Sequence, residues 1–192
     1  EAHLDLPLDF DSLEKVGAMI GSGGLVVMDE DTCMVSIARF FMNFTQEESC
    51  GKCVPCREGT HIMLELLDDI VEARGTRQTI ETLLDLGDTI CATALCGLGK
   101  TAPNPVISTI TQFKDEYLAH VVDGVCPTGQ CQAYRKYVVD EDRCVGCGLC
   151  RKACPVHAIS GGTKRAHKID TQICIKCNSC VRACKFDAIQ IL

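Results

Sequence analysis

Eight of the 16 cysteines in this 192-residue chain form two identical spacing patterns near its C-terminus. Each pattern reads C-x2-C-x2-C-x3-C, and the members are Cys144, Cys147, Cys150 and Cys154, then Cys174, Cys177, Cys180 and Cys184. Three thiolates at this spacing can cap three irons of one [4Fe–4S] cube, whereas the fourth points away and completes the partner cube. The predicted ligand sets are Cys144, Cys147, Cys150 and Cys184 for one cluster, and Cys174, Cys177, Cys180 and Cys154 for the other.

An internal repeat supports this crossed pairing. Cys144 has its counterpart in Cys174, thirty residues later, and the same shift brings Ala158 onto Ala188. Such a repeat predicts two strand–loop–helix units related by a pseudo-twofold axis. Zinc knuckles or a disulfide knot are the alternatives, but the doubled spacing, with Pro155 directly after the fourth cysteine, favours iron–sulfur clusters.

Composition and charge also favour metal binding. Residues 1–135 carry nine Lys and Arg against twenty-one Asp and Glu, whereas residues 136–192 carry ten against five. Because a [4Fe–4S] cube with four thiolates is anionic, we interpret the basic residues as its counter-charge rather than as a nucleic-acid patch. No run approaches the roughly 20 apolar residues of a membrane span, and no signal peptide opens the chain. We therefore expect a cytoplasmic protein whose cysteines bind metal rather than form disulfides.

Apolar periodicity predicts an α+β chain that begins with strand and turn. Within residues 1–34, Leu25–Met28 should form a short strand after a glycine-rich turn at 21–24. Residues 35–123 then carry four amphipathic helical segments with short joins, and Thr76 is a plausible N-cap for the third. This pattern is typical of an antiparallel four-helix bundle.

Two further regions complete the chain. Residues 124–135 form a connector that contains cysteines, and residues 136–192 form a ferredoxin-like domain with two [4Fe–4S] clusters. The first strand of that domain, 137–139, should pair with the last, 189–191.

A third cluster is predicted inside the bundle. Cys50, Cys53 and Cys56 form another C-x2-C-x2-C loop at a helix junction. Its fourth ligand must come from elsewhere, and we favour Cys96. Cys91 is the competitor, although its mid-helix position is typical of a buried structural thiol.

Residues 49–59, together with Cys96, resemble the [4Fe–4S] domain of the flavin-bearing, NADH-oxidising subunit of respiratory complex I. Segments 29–35 and 95–105, with the C-terminal double ferredoxin, make the resemblance closer to the beta subunit of NAD(P)-linked, electron-bifurcating [FeFe] hydrogenases and related formate dehydrogenases. That family implies FMN and a nicotinamide nucleotide in a preceding domain. Residues 1–28 resemble the tail of the small ubiquitin-like β domain that follows it. Nothing in the chain resembles the flavin or nucleotide site.

The remaining cysteines suggest a zinc site. Cys126 and Cys131 flank a Pro/Gly turn, and His120 precedes them at a predicted helix end. Two cysteines and one histidine make an incomplete tetrahedral zinc site, for which Cys33 is the best fourth ligand. A [2Fe–2S] centre on the same cysteines, or unligated thiols with a surface histidine, are the alternatives.

The resulting functional hypothesis is an electron relay inside a multisubunit NAD(P)-linked oxidoreductase, with hydrogenase or formate dehydrogenase subunits and soluble ferredoxin as partners. A stand-alone polyferredoxin carrier and a structural zinc–iron scaffold are the alternatives. No catalytic residue is assigned, because no nucleophile–base set or carboxylate pair stands out. His157 and His167 flank the clusters. Either could tune a cluster potential through hydrogen bonds, but we expect both at the surface.

Overall fold

The computed structural model describes residues 5–18 and 23–191. Residues 1–30 and the residues from Asp31 onward form two separate compact units. In the first unit, helix α1 spans Phe10–Lys15, and the Asp9 side chain caps it by accepting a hydrogen bond from the Ser12 backbone N–H.

The prediction of a strand at Leu25–Met28 is wrong. This segment has no secondary structure, and its four side chains are 40–84% exposed. A strand needs a neighbour for its backbone hydrogen bonds, and no strand lies among the described residues of this unit. Gly23 adopts a φ of +89°, as the expected turn requires, whereas Gly21 and Ser22 lie outside the described residues. No ubiquitin-like β domain is therefore seen in residues 5–18 and 23–30.

Four longer helices form the bundle in the second unit. They are α2 (Met34–Glu47), α3 (Val54–Val71), α4 (Arg77–Thr93) and α6 (Asn104–Gln112), with the short helix α5 (Gly97–Thr101) between the last two. Helix α3 packs between α2 and α4, and α6 contacts both α2 and α4. The centre of this core is fully buried and includes Val35, Met42, Met63, Leu67, Leu83 and Val106.

The helix boundaries follow from capping. The Thr76 hydroxyl accepts from the Thr79 backbone N–H, while the Thr79 hydroxyl accepts from the Thr76 N–H, so α4 begins with a reciprocal capping box. Gly75 lies directly before Thr76. A Cβ at position 75 would lie 2.7 Å from the Ile70 side chain, so this position favours glycine. Helix α3 ends at Val71.

The fourth predicted helix is broken, contrary to expectation. Phe113, with φ −122° and ψ 39°, separates α6 from the short helix α7 (Lys114–Leu118), and a π-helix (Ala119–Asp123) follows. The break places Tyr117 in the core, where its hydroxyl contacts Thr109 Oγ1 at 2.9 Å. A π-turn holds more residues than an α-turn, so it shifts which later side chains face inward.

The ferredoxin-like domain has the expected strand pairing. Strand β1 (Tyr137–Val139) pairs antiparallel with β4 (Ile189–Ile191), and β2 (Ile159–Ser160) pairs with β3 (Lys168–Ile169).

The thirty-residue repeat is visible in the two short helices of this domain. Helices α8 (Leu149–Ala153) and α9 (Ser179–Ala183) occupy equivalent places in the repeat and pack together. The fourth cysteine of each pattern directly follows the corresponding helix.

A 3-10 helix (Gln132–Tyr134) connects the bundle to this domain. The Gln132 side-chain amide donates to the Lys176 carbonyl at 2.8 Å, and the Lys176 ammonium donates to the Ala133 carbonyl. Tyr134 reaches in the other direction and donates to the Ile70 carbonyl at the end of α3. Among the described residues, no helix is both long and apolar enough to span a bilayer.

Candidate metal centres

The structure brings the eight C-terminal cysteines together in the two crossed sets expected from the sequence. One cavity is lined by Cys144, Cys147, Cys150 and Cys184. The other is lined by Cys154, Cys174, Cys177 and Cys180.

Left-handed backbone positions curl each loop around its cavity. Gly146 and Gly148 have φ values of +70° and +77°, and their repeat counterparts Lys176 and Asn178 have +59° and +65°. Gly146 is also confined, because a Cβ there would lie 2.5 Å from the Arg165 backbone nitrogen. The loops thus turn their cysteines inward.

The surroundings of these cysteines fit an anionic cluster. The Ala158 N–H donates to Cys154 Sγ at 3.3 Å, and the Ala188 N–H donates to Cys184 Sγ at 3.4 Å. Hydrogen bonds of this kind stabilise thiolate charge.

Asn178 provides a second sign that a group belongs in the Cys174 cavity. Its Oδ1 is buried without a hydrogen-bond partner in the described part of the chain, and the residue lines that cavity. Rotating the carboxamide would place its N–H₂ there, where it could donate to a cluster sulfide. The residues present therefore fit a [4Fe–4S] group.

The first cysteine loop lies at the N-terminus of α3. Gly51 adopts a φ of +70° within the loop, and Cys53 is the residue that precedes the helix. The Leu95 backbone N–H hydrogen-bonds the Cys53 sulfur, which lowers the pKa of this thiol. A Cβ on Gly99 would lie 3.2 Å from the Cys56 Cβ, so the 95–99 segment packs directly on the loop. The segment that contains Cys96 therefore lies against this loop, and the Cys96 side chain itself is exposed.

Cys91 faces elsewhere. It lies within α4, it is half-buried, and its Sγ is 3.9 Å from Asn104 Oδ1. Burial, with a smaller contribution from Asp88, raises the pKa of this thiol. A raised pKa disfavours the thiolate that iron requires, so Cys96 remains the better candidate for the fourth ligand.

The four residues of the predicted zinc site converge. One ligand atom from each of Cys33, His120, Cys126 and Cys131 lies within 4.8 Å of the others, and all four residues are buried. Cys33 Sγ is 3.6 Å from both His120 Nε2 and Cys131 Sγ. Three sulfurs and one nitrogen at this separation fit a closed tetrahedral zinc site.

The ring of His120 is oriented for ligation. Its Nδ1 lies 2.8 Å from the Glu116 carbonyl, which leaves Nε2 directed at Cys33. The Tyr134 ring packs edge-on against it with centroids 4.9 Å apart. A backbone carbonyl on the second ring nitrogen is the usual way in which a protein fixes a metal-binding histidine.

The charges in this site are those of a metal-binding cluster. The hydrogen bond with Cys131 is the main reason that the pKa of Cys33 is lowered to about 3, and this pairing raises the pKa of Cys131. Burial alone would lower the pKa of His120, but hydrogen bonds to Cys33 and the Glu116 carbonyl outweigh it and raise this pKa to about 9. Zinc binding would displace the protons that the site otherwise holds.

Comparisons with known proteins bear on these sites. Residues 36–120 match the family model of the NADH-ubiquinone oxidoreductase-F iron–sulfur binding region. Residues 36–120 are therefore similar to this iron–sulfur binding region. Residues 137–160 and 167–190 each match the 4Fe–4S binding domain.

Curated relatives extend this result. The chain is 52% identical over 164 residues to the NADP-reducing hydrogenase subunit HndC of Solidesulfovibrio fructosivorans, covering 85% of this chain and 34% of that protein. It is 44% identical over 127 residues to the F-type subunit of the NADH-quinone oxidoreductase of Mycobacterium tuberculosis H37Rv, covering 66% and 28%. The chain thus spans about a third of the length of these relatives. The resemblance to the complex I subunit and to its NADP-linked hydrogenase counterpart is confirmed.

A solved NAD⁺-reducing [NiFe]-hydrogenase is also similar, with 33% identity and a TM-score of 0.48, covering 50% of this chain and 17% of that one.

The sequence analysis did not predict the role of several residues around the F-type iron–sulfur region and in the ferredoxin-like domain. Ser49 Oγ lies 3.3 Å from Cys56 Sγ, and the Ser179 hydroxyl lowers the pKa of Cys177. Asn178 replaces the glycine found at position 148, a difference that the thirty-residue repeat could have revealed. His167 was expected at the surface but is buried.

The crossed cavities make a prediction about cluster loss. Cys184→Ser and Cys144→Ser should each remove the same cluster, because both side chains line one cavity. The double variant should then lose no further cluster, whereas Cys184→Ser combined with Cys174→Ser should lose both. EPR spectra of anaerobically purified, reduced protein would count the clusters. Loss of two clusters in the Cys144/Cys184 double variant would contradict the crossed assignment.

Proposed function

We propose that this chain relays single electrons through three [4Fe–4S] clusters within a multisubunit NAD(P)-linked oxidoreductase. The observation that carries the proposal is the pair of cavities lined by the two crossed sets of four cysteines. The third cysteine loop, at the start of α3, adds the predicted third site. The match to the F-type iron–sulfur region and to two 4Fe–4S binding domains supports it.

The residues of the chain have distinct roles in this proposal. When bound, [4Fe–4S] clusters accept and donate one electron at a time. The thiolates hold them, and backbone N–H groups such as those of Leu95, Ala158 and Ala188 stabilise the thiolate charge. Basic side chains near the clusters, such as Arg151 and Arg182, supply counter-charge. These groups fix the potential of each site without making or breaking a bond.

The partners form the finer part of the proposal. The chain matches only about a third of the length of these relatives, and we place flavin and nucleotide chemistry in the region that the chain does not cover. The 52% identity to a subunit of an NADP-reducing hydrogenase favours a hydrogenase-type assembly over a formate dehydrogenase. Electron exchange with soluble ferredoxin, and electron bifurcation, stay predictions of this hypothesis.

The zinc quartet has a structural role in the same proposal. Cys33 precedes α2, His120 belongs to the π-helix at the end of the bundle, and Cys126 and Cys131 lie in the connector. One ion bound by all four would hold three separate segments together where the ferredoxin-like domain leaves the bundle. A closed tetrahedral set leaves no open position for substrate, which favours structure over catalysis.

Elemental analysis tests the central proposal. Protein purified without oxygen should contain about 12 iron and about 12 acid-labile sulfide atoms per chain, the content of three cubes. A preparation with zinc but almost no sulfide would contradict it. If the native protein runs as a small monomer on size exclusion, with its clusters intact, a stand-alone carrier would instead be favoured.

A further inference from the structure

One histidine of the ferredoxin-like domain is buried against a proposed cluster ligand. His167 is 2% exposed, and its Nδ1 lies 3.7 Å from Cys144 Sγ. It also lines the cavity shared by Cys144, Cys147, Cys150 and Cys184. A thiolate bound to iron carries no proton, so this contact is a hydrogen bond only when the ring donates from Nδ1.

The backbone confines the ring to this place. Gly161 adopts a φ of +142°, and a Cβ there would lie 2.8 Å from Cδ2 of His167 and 2.9 Å from its Cα. The Arg151 guanidinium, from helix α8, donates to the Gly161 carbonyl at 3.0 Å. Glycine thus permits the close approach, and Arg151 holds the strand end that covers the ring.

At the position equivalent to His167, the other half of the repeat has no side chain that donates to a cysteine sulfur. Tyr137 lies thirty residues before His167 and lines the second cavity. Its hydroxyl donates to the Lys176 carbonyl at 3.3 Å rather than to a cysteine sulfur. A side chain at this repeat position therefore reaches a sulfur in only one of the two halves.

We propose that His167 raises the reduction potential of the cluster at Cys144 by donating a hydrogen bond to its sulfur, a role that rests on the proposed three-cluster function. Reduction adds one electron to the bound cluster, makes or breaks no bond, and leaves the proton on the histidine. The added negative charge is shared with the ligand sulfurs, and a donor stabilises it. His167 is thus a positioning residue that makes the two cubes of this domain unequal.

The test uses the full chain with its clusters, titrated anaerobically with dithionite and followed by EPR. His167→Phe keeps an aromatic ring but removes the donor. It should lower the reduced-to-oxidised ratio of the cube at Cys144 about tenfold at a fixed potential. This corresponds to a decrease of about 59 mV in the reduction potential of a one-electron step. His167→Asn keeps an N–H near the position of Nδ1 and should retain most of the original potential. Tyr137→Phe, the matched change in the other half, should leave the potential of the cube at Cys144 unchanged.

The outcomes separate this inference from the proposed function. Unchanged potentials in His167→Phe, or equal shifts in the Phe and Asn variants, would overturn the role of the hydrogen bond. A wild-type protein without three cubes' worth of iron and sulfide would instead refute the function itself. If His167→Phe does not assemble its cluster, Gly161→Ala is the second measure. It displaces the ring and must lower the potential of the same cube, and an unchanged potential there would equally overturn the inference.

Discussion

Cys96→Ser should remove one of three clusters, whereas Cys91→Ser should leave all three in place. The Leu95 N–H bonds the Cys53 sulfur and Gly99 packs against Cys56, so the segment that contains Cys96 lies against the cysteine loop. Cys91 contacts Asn104 instead. Iron and sulfide should fall from about 12 to about 8 atoms each per chain in Cys96→Ser. One EPR signal should disappear while the two from the ferredoxin-like domain persist.

Electron transfer gives a second measurement of the same change. In the complete assembly, Cys96→Ser should block transfer from the flavin side to the ferredoxin-like domain, although dithionite should still reduce the two remaining cubes directly. The Cys91→Ser variant is a matched control, since it makes the same chemical change only five positions away. If Cys91→Ser loses the cluster and Cys96→Ser keeps it, the ligand assignment is reversed.

Much of the site could be predicted because metal ligation leaves its spacing in the sequence. Three thiolates must reach one cube within a few residues, so the C-x2-C-x2-C pattern marks each loop regardless of the surrounding fold. The repeat supported the crossed arrangement that the spacing predicted, and the expected β1–β4 pairing is present in the structure. The convergence of Cys33 with His120, Cys126 and Cys131 was found by assigning the cysteines that no other motif used.

The remaining features depend on tertiary contacts that no local pattern records. Leu25–Met28 has the composition of a strand, but pairing partners rather than composition decide whether a strand forms. The break at Phe113 also lacks a proline or glycine signal, and it is coupled to the burial of Tyr117. His167 reads as an ordinary polar residue between Ala166 and Lys168, and only the close approach of Gly161 encloses it.

The zinc quartet predicts a large loss of stability when one ligand is removed. His120→Ala should release about one equivalent of zinc per chain, because three ligands no longer close the tetrahedron. Structural zinc contributes about 10–16 kcal/mol in small zinc domains. Even a fraction of this exceeds the roughly 1 kcal/mol that shifts the melting temperature of a chain of this size by ~2–4 °C. The temperature of the first unfolding transition should therefore decrease by much more than this. Metal analysis would measure the loss of zinc, and thermal unfolding would measure the loss of stability.

The choice of variants separates zinc from the competing explanations. Cys91→Ser should keep its zinc and its unfolding temperature, since Cys91 lies outside the quartet. A [2Fe–2S] centre at this position would add about two iron and two sulfide atoms per chain, which His120→Ala would remove instead of zinc. If His120→Ala loses no metal and unfolds at the wild-type temperature, the four side chains are merely packed together. The three segments they join would then be held by the surrounding contacts alone, in which Tyr134 bonds to the end of α3 and Gln130 bonds to both Cys33 and Asp31.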